Sequence, residues 1–264
     1  MSVFYDGLGN MKRIARGEDP LRALQLYQCC PHGCRYCRGL SGPEGLPSLL
    51  FFAPARARAG LLPALEEEAS RFMGFDVLLC NMGDPYPGTF QSKRDDITRE
   101  AITILKGNGC LINLYSKGGT RACRDLDLLD QGDEFAVSLT FLDETLSRQW
   151  EPGAATPANR IEALKIAKEA GIPTMVNLAP MIDQEQSLAL LDAVAEHADC
   201  FQLDRLEYYP RPEGYDYPSF YKKAKALLDD LGKPYSFLGL NEIREAGGGP
   251  RRSKFSGVKL PKLF

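Results

Sequence analysis

Residues 151–182 read EPGAATPANRIEALKIAKEAGIPTMVNLAPMI, and the succession of patterns in them decides the fold. A Glu-Pro-Gly turn leads into a stretch, Asn159 to Ala170, whose apolar positions recur at the helical period. The short apolar run from Thr174 to Leu178 then predicts a strand ending in Ala-Pro. Helix passing directly into strand is one step of a βα repeat.

The same step recurs outward in both directions. Strands are predicted at Ala23 to Tyr27, Leu49 to Phe52, Val77 to Cys80, Leu111 to Tyr115, Phe135 to Leu139, Cys200 to Leu206 and Tyr235 to Leu238. Between them, helices are predicted at Leu61 to Phe72, Ile97 to Lys106, Glu185 to His197 and Tyr221 to Leu231. Alternation of this kind pairs strands in parallel and closes into a barrel or an open doubly wound sheet. Periodicity does not choose between them. In either, the loops after the strand carboxyl ends gather on one face, where ligands bind.

On the first such loop lies Cys30-Pro-His-Gly-Cys34-Arg-Tyr-Cys37. Three thiolates at this spacing can hold three irons of a four-iron cluster and leave the fourth open to a small molecule. Pro31 and Gly33 permit the tight loop this needs. Zinc is the competing reading and needs a fourth ligand, Cys29 or His32. A cluster that only carries electrons asks for a fourth cysteine, and none stands at a suitable place. Of the eight cysteines, Cys29, Cys110, Cys123 and Cys200 are scattered in apolar contexts and read as small buried hydrophobes.

The bulk properties are those of an ordinary globular protein of 264 residues, with 25% charged and 44% hydrophobic side chains. A net charge of −3 gives no global attraction to nucleic acid or an anionic membrane. The start lacks a signal-peptide pattern and no apolar run is long enough to span a bilayer, so the expectation is a cytoplasmic protein with no membrane partner. Residues 1–246 are expected to form one domain. Beyond Gly247-Gly248-Gly249-Pro250 the segment RRSKFSGVKLPKLF is basic and reads as a solvated tail.

The loop CPHGCRYC resembles the signature of radical S-adenosylmethionine (SAM) enzymes, and residues 151–182 are similar to a segment of the spore photoproduct lyase branch. The resemblance spans roughly residues 22 to 182. It implies a partial (β/α)6 barrel with parallel strands, a [4Fe-4S] cluster held by Cys30, Cys34 and Cys37, and SAM. It also implies a reducing partner such as flavodoxin or ferredoxin, and radical repair or modification of a base in DNA or another nucleic acid.

Site roles follow from the same resemblance. In NMGDPYPG, residues 81–88, Asp84 matches the acceptor of the SAM amino group. Lys117 and Ser138 match positions that contact SAM. Glu151 and Arg160 bracket the second segment, where they either touch SAM or form a structural ion pair at the helix start. Asn177 and Pro180 would face the adenosine. Cys80 falls near a cysteine that returns hydrogen to the product radical, although a strand-end cysteine is as ordinary a reading. Tyr36 matches one of two tyrosines of a hydrogen relay; at the second position this chain departs from the pattern and carries Arg38.

The aromatic, proline-rich run EYYPRPEGYDYPSFY packs its own loop in the first instance, with Tyr208 and Tyr209 as pocket candidates. Two alternatives stand beside the nucleic-acid reading. One is radical modification of a peptide, an RNA or a small metabolite; the other is a non-catalytic zinc or iron–sulfur module.

Overall fold

The computed structural model describes residues 4–6, 22–37, 52–88, 96–207 and 209–238. It contains one eight-stranded sheet whose spatial order runs β1 to β8 in chain order. The strands are β1 (Phe4–Asp6), β2 (Arg22–Leu24), β3 (Asp76–Leu79), β4 (Leu111–Ser116), β5 (Glu134–Ser138), β6 (Thr174–Leu178), β7 (Cys200–Leu203) and β8 (Tyr235–Phe237). β1 runs antiparallel to β2, and β2 through β8 are parallel. Strict sequential order settles what periodicity leaves open. A doubly wound sheet reverses its strand order at a switch point, whereas this sheet never does, so its helices collect on one face and the sheet curls into a partial barrel.

The helices are α1 (Leu61–Glu68), α2 (Ile97–Gly107), α3 (Glu144–Trp150), α4 (Pro157–Glu169), α5 (Gln184–Val194) and α6 (Tyr217–Asp230). Four start on a side-chain cap. Asp143, Thr156, Asp183 and Asp216 accept from the backbone N–H groups of Leu146, Asn159, Gln186 and Ser219, satisfying donors that the helix itself cannot pair. Alternate strand residues Leu24, Val77, Leu79, Ile112, Leu114, Phe135, Val137, Val176, Leu178, Phe201, Leu203 and Phe237 pack under the helices in one core. Each large apolar side chain buried there contributes roughly 1.5–3 kcal/mol.

The remaining alternate residues face the concave side. Ala136, Met175 and Cys200, with Tyr115 against them, form a separate small cluster there. Higher on the same face stand polar residues such as Ser138, Asn177 and Gln202. Parallel sheets covered on both faces are apolar on both. A polar inner face is that of a lumen.

Several boundaries differ from expectation. β2 ends at Leu24 rather than Tyr27, because the Gln25 side chain turns to Met82, donating to its carbonyl at 2.9 Å and accepting from its N–H at 3.1 Å. Tyr27 joins Ala57 in an isolated antiparallel bridge. β7 stops at Leu203, three residues early, where the Leu206 N–H is taken by the Tyr215 hydroxyl. Past Glu68 the first helix tightens to 3-10 geometry over Ala69–Phe72. β1, α3 and a 3-10 segment at Gly119–Leu128 are additional to the expected elements. Of the predicted strand Leu49 to Phe52, only Phe52 lies within the described residues, and it is in a turn. Arg38, Tyr208 and the tail 247–264 lie outside them. Among the described residues no helix is long and apolar enough to cross a membrane.

Candidate active site

Cys30 to Cys37 leave the carboxyl end of β2 and are clamped by the Glu-Pro-Gly turn 120 residues later. Gly153 N–H donates to the His32 carbonyl at 2.8 Å, and Arg35 N–H donates to the Trp150 carbonyl at 2.8 Å. The approach is so close that a Cβ on Gly153 would sit 2.3 Å from the Pro31 oxygen. On the other side Gly33, at φ +63°, faces the Pro152 ring. The two motifs that carry the sequence resemblance therefore form one surface. Gly153→Ala forces the turn off the loop, so purified Gly153→Ala protein is expected to retain at most a few tenths of the wild-type iron after anaerobic reconstitution; wild-type iron content would show that the clamp is dispensable.

Cys30, Cys34 and Cys37 lie close enough to act on one another electrostatically. Burial, then the Asp84 carboxylate and the other two sulfurs, push the Cys30 thiol well up, and burial takes Cys34 to about 12. Buried thiols beside a carboxylate release their protons only to a cationic centre. Among the described residues no three His, Cys, Asp or Glu side chains are placed to hold a single metal ion. Thiolates that each take a different iron of a cluster stand further apart than ligands converging on one zinc. The donor set, three thiols close enough to interact, fits a cluster.

Asp84 lies on the turn after β3 and is pinned from three sides. It accepts from Tyr86 N–H at 2.7 Å, Ser116 Oγ at 2.8 Å and Lys117 N–H at 2.6 Å. His32 Nδ1 stands 3.6 Å from its Oδ2. A carboxylate has about four lone-pair sites, so one position remains for a further donor. The Gly83 backbone packs tightly here, since a Cβ would lie 2.9 Å from Gln25 Nε2.

Glu151 and Arg160 realise the ion-pair reading. Both are essentially inaccessible, at 1% and 0% exposure. Arg160 Nη2 donates to Glu151 Oε2 and, at 2.9 Å, to Ser147 Oγ; Nη1 donates to the Ser138 carbonyl at 2.8 Å. The Tyr36 hydroxyl donates to Glu151 Oε1 and lies 3.3 Å from Thr140 Oγ1. Lys117 Nζ stands 4.0 Å from Glu151 and 5.7 Å from the Tyr36 ring centre. Burial works to raise the Glu151 pKa, but Arg160 and Lys117 with their hydrogen-bonding neighbours outweigh it and leave it lowered. One buried carboxylate thus ties the cysteine loop, β5, α3 and the loop after β4 together.

Two polar atoms next to this knot lack partners. His32 Nε2 and Arg121 Nε are both buried without a hydrogen bond. The charges of Lys117 and Arg121 both reach His32. Gly88, at φ +75°, makes room for the Arg121 guanidinium, which would lie 2.8 Å from a Cβ there. Sequence reasoning passed over Arg121. The signal available was its place in Lys117-Gly-Gly-Thr-Arg121, a glycine-rich basic loop directly after a strand.

Ser138 ends β5 and Asn177 sits opposite it on β6, with Asn177 Nδ2 donating to Ser138 Oγ at 3.4 Å. Cys80 and Tyr36 belong to different packing clusters. Cys80 follows β3 at φ 62°, 4% exposed, its sulfur against the backbone N–H groups of Leu26 and Tyr27. Tyr36 packs with Phe141, Ile182 and Leu206, and Trp150 lies between it and Tyr209, whose ring centre is 4.9 Å from that of Trp150. Tyr209 is therefore a wall residue on the cysteine-loop side.

Known proteins resemble this chain in sequence and in fold. The chain is 29% identical over 168 residues to uncharacterized proteins of Mycobacterium bovis and Mycobacterium tuberculosis, a match covering 60% of this chain and 48% of theirs. The chain spans about half the length of these curated relatives. Its fold is similar to spore photoproduct lyase complexed with dinucleoside spore photoproduct, with a TM-score of 0.62 at 13% identity over 81% of this chain and 75% of that one. It is also similar to SuiB of Streptococcus suis bound to S-adenosylmethionine, with a TM-score of 0.57 at 13% identity over 86% of this chain and 50% of that one. Residues 24–187 match the model of the Radical SAM superfamily, which uses a [4Fe-4S] cluster and SAM, and the chain belongs to that superfamily.

Proposed function

We propose that this chain cleaves SAM reductively at a [4Fe-4S] cluster held by Cys30, Cys34 and Cys37, and that it acts in lyase-like repair or modification of a nucleic-acid base. The observation that carries the reading is the meeting of three mutually close thiols with Asp84, Lys117 and Arg121 at the carboxyl ends of β2, β3 and β4. Bound together, the cluster and SAM supply a 5′-deoxyadenosyl radical that takes a hydrogen atom from substrate.

The protein's own residues do the positioning. Asp84 offers its remaining lone pair to the SAM ammonium. Arg121 is the better partner for the SAM carboxylate, because Lys117 already leans on Glu151 while the Arg121 Nε is unpaired. Ser138 and Asn177 face the nucleoside end. Glu151 and Arg160 act on SAM through Tyr36 and Lys117, as positioning residues. The electron comes from a reducing partner of the flavodoxin or ferredoxin class, and the substrate is DNA or another nucleic acid.

The test is anaerobic reconstitution followed by dithionite, SAM and ultraviolet-irradiated DNA. Expected are a cluster absorption that bleaches on reduction, 5′-deoxyadenosine formation that Cys34→Ala abolishes, and loss of the thymine photoproduct. SAM cleavage with the photoproduct intact would remove the repair reading and keep the radical one. Cys80→Ala is expected to keep 5′-deoxyadenosine formation and change the product; unchanged products would leave Cys80 as a core residue.

A further inference from the structure

One layer of the concave face carries a row of neutral polar side chains, one from each of four adjacent strands. The register sets Ser138 opposite Asn177, Asn177 opposite Gln202, and Gln202 opposite Ser236. Their chain neighbours Val137, Val176, Leu178, Phe201, Leu203 and Phe237 lie in the core under the helices, so all four point to the lumen. With strands about 4.8 Å apart, the row is about 14 Å long. Two residues further down β5, β6 and β7, the buried trio Ala136, Met175 and Cys200, with Tyr115 of β4 against it, closes the floor. A ligand entering from the strand carboxyl ends stops at the row.

The row is under-used. Asn177 spends its N–H on Ser138, and its Oδ1 is buried with no partner. Further out, Gln202 and Ser236 are half-buried, and their side chains have no hydrogen bond among the described residues. Polar groups of this kind oppose binding when a ligand desolvates them without pairing them. An aliphatic substrate would leave them unpaired, and an anion would meet no cation in the row. A flat, neutral group with an N–H next to a carbonyl pairs with all of it, as the amide side chains Asn and Gln pair with base edges.

We infer that the part of the row beyond SAM, Gln202 and Ser236, is the substrate-reading edge, and that it takes a neutral ring bearing an amide or imide, as a pyrimidine base does. The inference rests on the proposed function and narrows it. It makes the specificity-determining residues those of β7 and β8, outside the stretch matched by the family model.

Thymidine and N3-methylthymidine are suitable probes, because methylation replaces the imide N–H by N–CH3 and leaves both carbonyls and the ring unchanged. Binding is measured by saturation-transfer NMR on reconstituted protein with SAM present. Wild type is expected to bind thymidine at least tenfold more tightly than N3-methylthymidine. Gln202→Leu and Ser236→Ala are each expected to weaken thymidine binding, Gln202→Leu by at least tenfold, with the SAM dissociation constant within twofold of wild type. No binding of thymidine by wild type, equal binding of the two nucleosides, or an unaltered Gln202→Leu would overturn the assignment. So would loss of SAM affinity in step with thymidine, which gives the row to the cofactor. Ser236→Ala removes one oxygen and guards against a misfolded Gln202→Leu. Failure of wild type to form 5′-deoxyadenosine is a separate result: it removes the proposed reaction while the nucleoside titration still decides the row.

Discussion

Replacing Arg160 with methionine is expected to destabilise the protein by about 3–5 kcal/mol, because the Glu151 carboxylate is then left buried without its partner. Two further hydrogen-bond acceptors, the Ser138 carbonyl and Ser147 Oγ, lose their donor at the same time. Lys117, 4.0 Å away, compensates only in part. Urea unfolding measures the effect as a shift of midpoint at constant slope. The double variant Glu151→Gln/Arg160→Met removes both charges and is expected to recover a substantial share of the loss. A single variant within about 1 kcal/mol of wild type would mean that water reaches this carboxylate, against the burial described.

The second large effect is a pH dependence at the lumen floor. Burial raises the Glu134 carboxyl from 4.5 to about 8, with Asp76 and Asp199 adding to it, while the Cys200 thiol donates to Oε2 across 3.8 Å. Because the folded pKa is the higher one, the folded state holds a proton that the unfolded state has released between these values. The associated stability is complete below about 4.5 and drains away as the pH rises through 8. The upper bound on the loss is on the order of 4–5 kcal/mol. Glu134→Gln, neutral throughout, is expected to melt several degrees above wild type at pH 8.5 and to converge with it at pH 5. A difference that does not change with pH would mean that Glu134 is ionised in the fold.

Most elements are legible because their signals are local. Helices α2, α4, α5 and α6 carry an apolar stripe, and three of them begin on an Asp or Thr whose side chain accepts the N–H three residues on. The elements that escape are short or polar. α3 is seven residues long, β1 is three, and the 3-10 segment Gly119–Leu128 buries few side chains. At the site, the cysteine spacing and the Glu-Pro-Gly turn stand out as strings. That Gly153 touches His32 does not, because a contact across 121 positions leaves no periodicity behind. The polar row is hidden for a related reason: each strand contributes one residue to it, and only the register places the four side by side.

The backbone contact between Gly153 and the His32–Pro31 peptide also bears on how such a site can be moved between proteins. Residues 30–37 transplanted alone onto another barrel would arrive without the surface that shapes them. The smallest portable unit is the loop together with residues 150–160, which bring the Trp150 carbonyl, the glycine and the Glu151–Arg160 pair. Two segments far apart in the chain are in this sense a single heritable part, and a change in either is constrained by the other.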